Sequence, residues 1–318
     1  MDGITAPAFP FNTDGIDVAG KDILIERLNI TNFDDAVTVK GSTTLDEYAT
    51  CSSNITVRDC TVNFGVGMTI GSILPTNEYS CVDGVQFLNH EFFHPAKAIY
   101  IKTRGGVTNS TVPGSGGRIA NILYDNILVH RAFWWTIYIG PQQMKNPDGA
   151  GNGCMLYPLS MSGCETEPLI DVHDITLNNV RSYGSILPPG VVRCDATNVC
   201  KDINFTNVTA SGLWRLFGMG FFTENVEGTV KDSFPVPDFS GASFKEQEHY
   251  LEVHRSENST QYEFDVSKML YDNLWPYVVE FWQDNFSDED HRKVIHKPVD
   301  PSKEYGIHVP KQEPIPEP

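Results

Sequence analysis

An all-β fold, a right-handed parallel β-helix with an irregular C-terminal tail, is what three observations in this 318-residue chain predict. A short phrase recurs six times: Asn or Asp (Gly in one copy), an apolar residue, any residue, another apolar residue. A second alternating strand follows each of the first four copies at a near-constant offset. Between them no amphipathic stretch of helical length is visible, which a doubly wound α/β fold would need.

The phrases are, in order, Asp22-Ile23-Leu24-Ile25, Asn54-Ile55-Thr56-Val57, Gly84-Val85-Gln86-Phe87, Asn121-Ile122-Leu123-Tyr124, Asp174-Ile175-Thr176-Leu177 and Asp202-Ile203-Asn204-Phe205. Their anchors Ile23, Ile55, Val85, Ile122, Ile175 and Ile203 lie 32, 30, 37, 53 and 28 residues apart. The second strands, Val37-Thr38-Val39, Met68-Thr69-Ile70, Ile99-Tyr100-Ile101 and Ile137-Tyr138-Ile139, begin 13 to 15 residues after the first four anchors. Alternation at period two marks strands with one buried face. Two short strands per irregular repeat describe a solenoid of stacked coils. A β-sandwich would alternate as well, but it has no reason to hold the offset.

The cysteines test the stacking. Cys51 precedes Asn54 by three residues and Cys81 precedes Gly84 by three. Equivalent positions in adjacent coils sit about 4.8 Å apart, within disulfide range, so a Cys51–Cys81 bridge is expected. Cys154–Cys164 and Cys194–Cys200 close short loops and are the next pairs, which leaves Cys60 as a buried thiol on a strand. This pattern suggests an oxidising compartment.

The solenoid is expected over residues 1–230, with an acidic, irregular and partly disordered extension over 231–318. The extension holds nine Lys/Arg against eighteen Asp/Glu, half of the net charge of −18. Residues 261–286 could hold a helix interrupted by Pro276, and the Pro-rich stretch from Lys297 reads as disordered. No apolar run approaches the roughly 18 residues of a membrane span. The net charge excludes a nucleic-acid partner and disfavours an anionic one except at acidic pH, where carboxylates are partly protonated. The first residues form no signal peptide, and the first coil starts at once without a cap, so upstream coils are expected to be missing. Of seven glycosylation sequons, those at Asn109 and Asn258 lie best for a glycan.

Chemistry concentrates near the start. When the coils are aligned on the second strand, Asp14 falls beside Asp35 and Thr13 beside Asp34; Asp35 shares a row with Val66, and Asp34 with Gly65. Lys102 lies on the same side of the stack. Three acids so close raise one another's pKa. One then stays protonated as a donor while others activate water, the division of labour of glycoside hydrolysis. Neighbours on a regular strand face opposite ways, so Asp34 and Asp35 share a cleft only if the chain bends there. Structural Asp ladders and a calcium site are the competing readings of such a cluster. His90 and His94 sit at helical spacing in a β context, which argues against metal binding.

Asn12-Thr13-Asp14-Gly15, Asp34-Asp35, Gly65-Val66-Gly67 and Tyr100-Ile101-Lys102 follow the order and spacing of four polygalacturonase motifs. From about Phe11 to Val230 the chain resembles glycoside hydrolase family 28, pectin-cleaving enzymes built on a right-handed parallel β-helix. The resemblance implies Asp34 as general acid, Asp14 and Asp35 holding and deprotonating water, and inversion at the anomeric carbon. Lys102 would bind a galacturonate carboxylate, and Asn12 would line the substrate. It also implies a secreted monomer acting on pectic polysaccharide or oligogalacturonide, without metal or cofactor. Two positions depart from the pattern. Val66 stands where the family has a histidine that tunes the acid, and Tyr100 where it has an arginine. Tyr100 and Trp135 are expected to offer sugar-stacking surfaces instead. A non-catalytic carbohydrate-binding solenoid and a calcium-dependent polysaccharide lyase are the alternatives.

Overall fold

The computed structural model describes residues 13–41, 51–105, 108–142, 166–217 and 219–240, which fall in one compact unit, Pro10–Asp265. In chain order the first strands are β1 (Ile16–Val18), β2 (Lys21–Glu26), β3 (Asn29–Asn32), β4 (Val37–Val39), β5 (Cys51–Phe64), β6 (Met68–Ile73), β7 (Ser80–Phe93) and β8 (Ile99–Thr103). There follow β9 (Gly117–His130), β10 (Ile137–Gln142), β11 (Ile170–Ser185), β12 (Gly190–Arg193), β13 (Cys200–Gly212), β14 (Phe222–Glu224) and β15 (Val226–Lys231). One sheet runs β1-β4-β6-β8-β10-β12-β14, the other β15-β13-β11-β9-β7-β5-β2, with β3 also on β5. Every named pairing is parallel, so the chain is a parallel β-helix.

The six anchors form one continuous row: Ile23 on Ile55, Ile55 on Val85, Val85 on Ile122, Ile122 on Ile175 and Ile175 on Ile203. On the other sheet Val37, Met68, Ile99 and Ile137 stack in register, as do Val39, Ile70, Ile101 and Ile139. All three rows point into a single apolar core. Among the described residues no helix is long and apolar enough to cross a membrane.

The second sheet differs from the two short strands expected. Its members run to 16 residues because they fold at corners, each a single residue in the left-handed region. Asp22, Asn54, Asn121, Asp174 and Asp202 have φ of 52–59°, with Gly84 in the same row at 76°. A second row, Arg27, Asp59, Asn89, Asn126, Asn179 and Asn207, has φ of 52–58°. Asn, Asp and Gly tolerate this conformation, which is why the recurring phrase opens on them. The carboxamides also tie the coils together. Asn89 donates to Asp59 at 3.0 Å, Asn126 to Asn89 at 2.9 Å and Asn207 to Asn179 at 2.8 Å.

Cys51 pairs with Cys81 across the β5–β7 register with Cα atoms 4.5 Å apart, and Cys194 with Cys200 at 5.7 Å. Cys60 is free and buried. Beside it His90 is buried and neutral: its Nδ1 accepts from the Cys60 N–H at 3.3 Å and its Nε2 donates to the Val57 carbonyl at 3.2 Å. Burial lowers this imidazole to about 4. The Cys154–Cys164 pair, Asn12, the sequon at Asn258, the helix over 261–286 and the tail lie outside the described residues.

Candidate active site

Backbone register sets the acids side by side. Ile16 pairs with Val37, which puts Asp14 next to Asp35 and Thr13 next to Asp34. Val37 pairs with Met68, which puts Val66 next to Asp35 and Gly65 next to Asp34. The required bend is present: Phe33, Asp34 and Ala36 lie in bends between β3 and β4. Alternation is suspended there, and carboxylate oxygens of Asp14, Asp34 and Asp35 all come within 4.8 Å of one another.

Asn32 holds this bend. Its side chain is almost buried, and Nδ2 donates to the carbonyls of Thr13, Asp34 and Asp35 at 3.2, 2.9 and 2.8 Å. The Asp35 N–H donates to Asp34 Oδ1 at 2.9 Å. The Gly15 N–H donates to the Asp35 carbonyl at 2.9 Å, and the Val66 N–H to that of Asp34 at 2.8 Å. Gly15 has to be glycine for this approach, since a Cβ would meet the Ala36 carbonyl oxygen at 2.4 Å.

The three acids differ in setting. Asp35 is 1% exposed. Its Oδ1 accepts from the Thr69 hydroxyl at 2.9 Å, and its Oδ2 from the Lys102 ammonium at 2.6 Å. Lys102 is itself buried. In a buried pair of this kind the ammonium and the hydroxyl take the place of the carboxylate's water. Asp34 is half-buried and Asp14 exposed at the mouth of the cluster. The Asp14 carboxyl is pushed up to about 6, first by partial burial, then by the charges of Asp34, Asp35 and Asp17, against the pull of Lys40. At mildly acidic pH the cluster therefore carries a proton on Asp14. Clustered carboxylates are hard oxygen ligands, but here one of them is already neutralised by Lys102, whose charge would repel a divalent ion.

Tyr100 and Trp135 do not sit as expected. Each is 2% exposed, so neither presents a ring face to a sugar. The Tyr100 ring lies beneath two ammonium groups, Lys97 at 3.9 Å and Lys102 at 4.7 Å, and edge-on to Tyr138 at 5.4 Å. Trp135 packs edge-on against Phe222 at 5.7 Å. Parallel stacking is the cause: it sets Tyr138 of the next coil against Tyr100, and Phe222 of the coil after next against Trp135. Val66 is half-buried beside Asp35. His90 and His94 serve different places, His90 in the core and His94 stacked on Phe64 at 6.2 Å.

Sequence reasoning missed Asn32, Thr69 and Lys97. Lys97 was reachable, because the row of Asp14, Asp35 and Val66 continues to it: Met68 pairs with Ile99. Asn32 and Thr69 carried no comparable signal, since a polar residue on a strand is ordinary.

The family model that matches this chain is described as glycosyl hydrolases family 28, over residues 3–216. A polygalacturonase of Juniperus ashei is 29% identical over 207 residues, covering 64% of this chain and 34% of its own length. A polygalacturonase of Cryptomeria japonica is 26% identical over 208 residues, with shares of 65% and 34%. An α-L-rhamnosidase, rgxB, of Aspergillus niger is 24% identical over 226 residues, with shares of 69% and 48%. The chain thus spans about a third of the length of those two polygalacturonases. No solved structure matches it.

Proposed function

Since the chain belongs to glycoside hydrolase family 28, matched over residues 3–216, we propose that it hydrolyses a glycosidic bond of a pectic polysaccharide. The observation that carries this reading is the cluster of three carboxylates within 4.8 Å beside a buried lysine. Asp34 gives its proton to the leaving oxygen. Asp14 and Asp35 hold a water and take its proton as it attacks the opposite face of the sugar, with inversion. Lys102 bonds Asp35 with one N–H and presents the others to a galacturonate carboxylate. The substrate is a pectic polysaccharide or oligogalacturonide, and the protein is a secreted monomer, a compartment that the Cys51–Cys81 and Cys194–Cys200 bridges support.

Two observations shape the tests. The compact cluster runs against the separation rule, which associates about 5 Å with retention and larger gaps with inversion. Inversion here rests on the family, and nuclear magnetic resonance of the first-formed product decides it: the released anomer must be opposite to the substrate's. The raised Asp14 favours a second assignment, with Asp14 as donor and Asp34 as base. An aryl galacturonide with an activated leaving group separates the two, because it needs no acid. The variant, Asp34→Asn or Asp14→Asn, that keeps activity on it identifies the donor.

The primary measurement is the appearance of reducing ends from polygalacturonate and from rhamnogalacturonan, the latter because one relative is named an α-L-rhamnosidase. Asp34→Asn should lower the rate roughly 10²- to 10⁴-fold. Oligosaccharide binding without turnover would make the protein a carbohydrate-binding solenoid instead. Unsaturated ends abolished by a chelator would make it a lyase.

A further inference from the structure

Lys97 stands in the turn between β7 and β8, in the row that begins with Asp14 and Asp35. It is 3% exposed. Its ammonium lies 3.9 Å from the centre of the Tyr100 ring and 4.5 Å from that of Tyr138. Among the described residues no carboxylate comes within ion-pairing distance of it, because the nearby Asp35 is already taken by Lys102 at 2.6 Å. Ring faces attract a cation, but they do not replace the counterion it loses on burial. The balance is visible in its proton affinity, lowered to about 7: burial lowers it most, Lys102 adds to that, and Asp35 and Asp34 oppose. The hydroxyls of Tyr100 and Tyr138, pushed well above the usual range by burial, stay neutral and supply no charge.

A buried ammonium held against two aromatic rings, beside a cluster of acids and lacking a described anion, is organised for an anion brought from outside. We propose that Lys97 is a second receptor for a substrate carboxylate, binding a uronate unit beside Tyr100 and selecting the free acid over its methyl ester. The proposal rests on the pectic reading above and deepens it. It also accounts for Tyr100. The fork of donors that an arginine would place on β8 is absent, and a cation reaches the same ring from the preceding turn. Gly67 makes this possible, since a Cβ there would meet the carbonyl oxygens of Ala98 and Lys97 at 2.3 and 2.5 Å.

Binding an anion and holding the proton are linked. Below about pH 7 Lys97 is charged and receives the carboxylate; above it each binding event must first recover a proton, so affinity falls.

The experiment measures dissociation constants for a short oligogalacturonate and its methyl ester from pH 5.5 to 8.5, in an Asp34→Asn background that prevents turnover. The free acid should bind the more tightly at pH 6, and the ratio of the two affinities should fall above pH 7 to what Lys102 alone supplies. Lys97→Met should weaken the free acid roughly 10- to 100-fold at pH 6, the scale of a lost charge-assisted hydrogen bond, and leave the ester unchanged. Lys97→Arg should hold the acid's advantage through pH 8.5. Undiminished acid binding by Lys97→Met, equal losses for acid and ester, or a ratio that is flat with pH each overturn the proposal. The pH dependence with Lys97 intact needs no substitution at Lys97 to fold. If neither acid nor ester binds at any pH, the pectic reading fails and this inference with it.

Discussion

A single carboxamide does more to shape the acid cluster than any other side chain. Asn32 ties three carbonyls from two coils into one bend, and the acids follow their backbone. Asp14 shows what the cluster costs. Its carboxyl, raised from 3.8 to about 6, ionises more reluctantly in the folded chain than in the unfolded one. Its contribution to stability is therefore fully present below about pH 4 and is lost as pH rises through 6. Asp14→Asn should stabilise the fold at pH 7 by up to about 1 kcal/mol, allowing for solvent screening at an exposed site, and leave it unchanged at pH 3.5. Thermal unfolding at both values checks this, and a variant less stable at pH 7 would refute it. The two acidic phrases were legible as a pair because their register could be counted; Asn32 was not, because nothing in Asn-Phe-Asp-Asp announces three acceptors.

At the scale of strands and turns, the corners carry the fold. Polar residues in the left-handed region turn each long strand without ending its ladder, and the repeat seen in the sequence is the spacing of those corners. The turn into β6 is tighter. Gly67 has φ of +92°, and its missing Cβ leaves room for the Lys97 and Ala98 carbonyls. Gly67→Ala should cost roughly 1–3 kcal/mol from backbone conformation alone, more with the clash, and should displace Lys97. A lowered unfolding midpoint with weakened oligogalacturonate binding is the expected result. An unchanged midpoint would show that the turn is looser than described. The glycines around Val66 were read as motif positions; that they guard a lysine one coil away needed the packing.

For the described molecule as a whole, the backbone ladders join each coil only to its neighbours, so stability is nearly a sum of local terms along one axis. Coils β5, β7, β9 and β11 have partners on both sides, whereas β1 and β14 close their sheet with one described neighbour each. Amide hydrogen exchange should be slowest in β7, β9 and β11 and quicken toward β1 and β14. Uniform protection across all coils would contradict a one-dimensional solenoid.

By itself the sequence determined the coil, its phase and its disulfide across adjacent rungs, because apolar alternation, corner residues and Cys spacing are local and periodic. It also determined that Asp14, Asp34 and Asp35 meet, since a register can be counted along the chain. Only the tertiary structure decided that Tyr100 and Trp135 are buried, that Lys102 pairs with Asp35, and that Lys97 lacks a described carboxylate partner. Those outcomes depend on which side chains of later coils pack against each ring, and no periodicity encodes that.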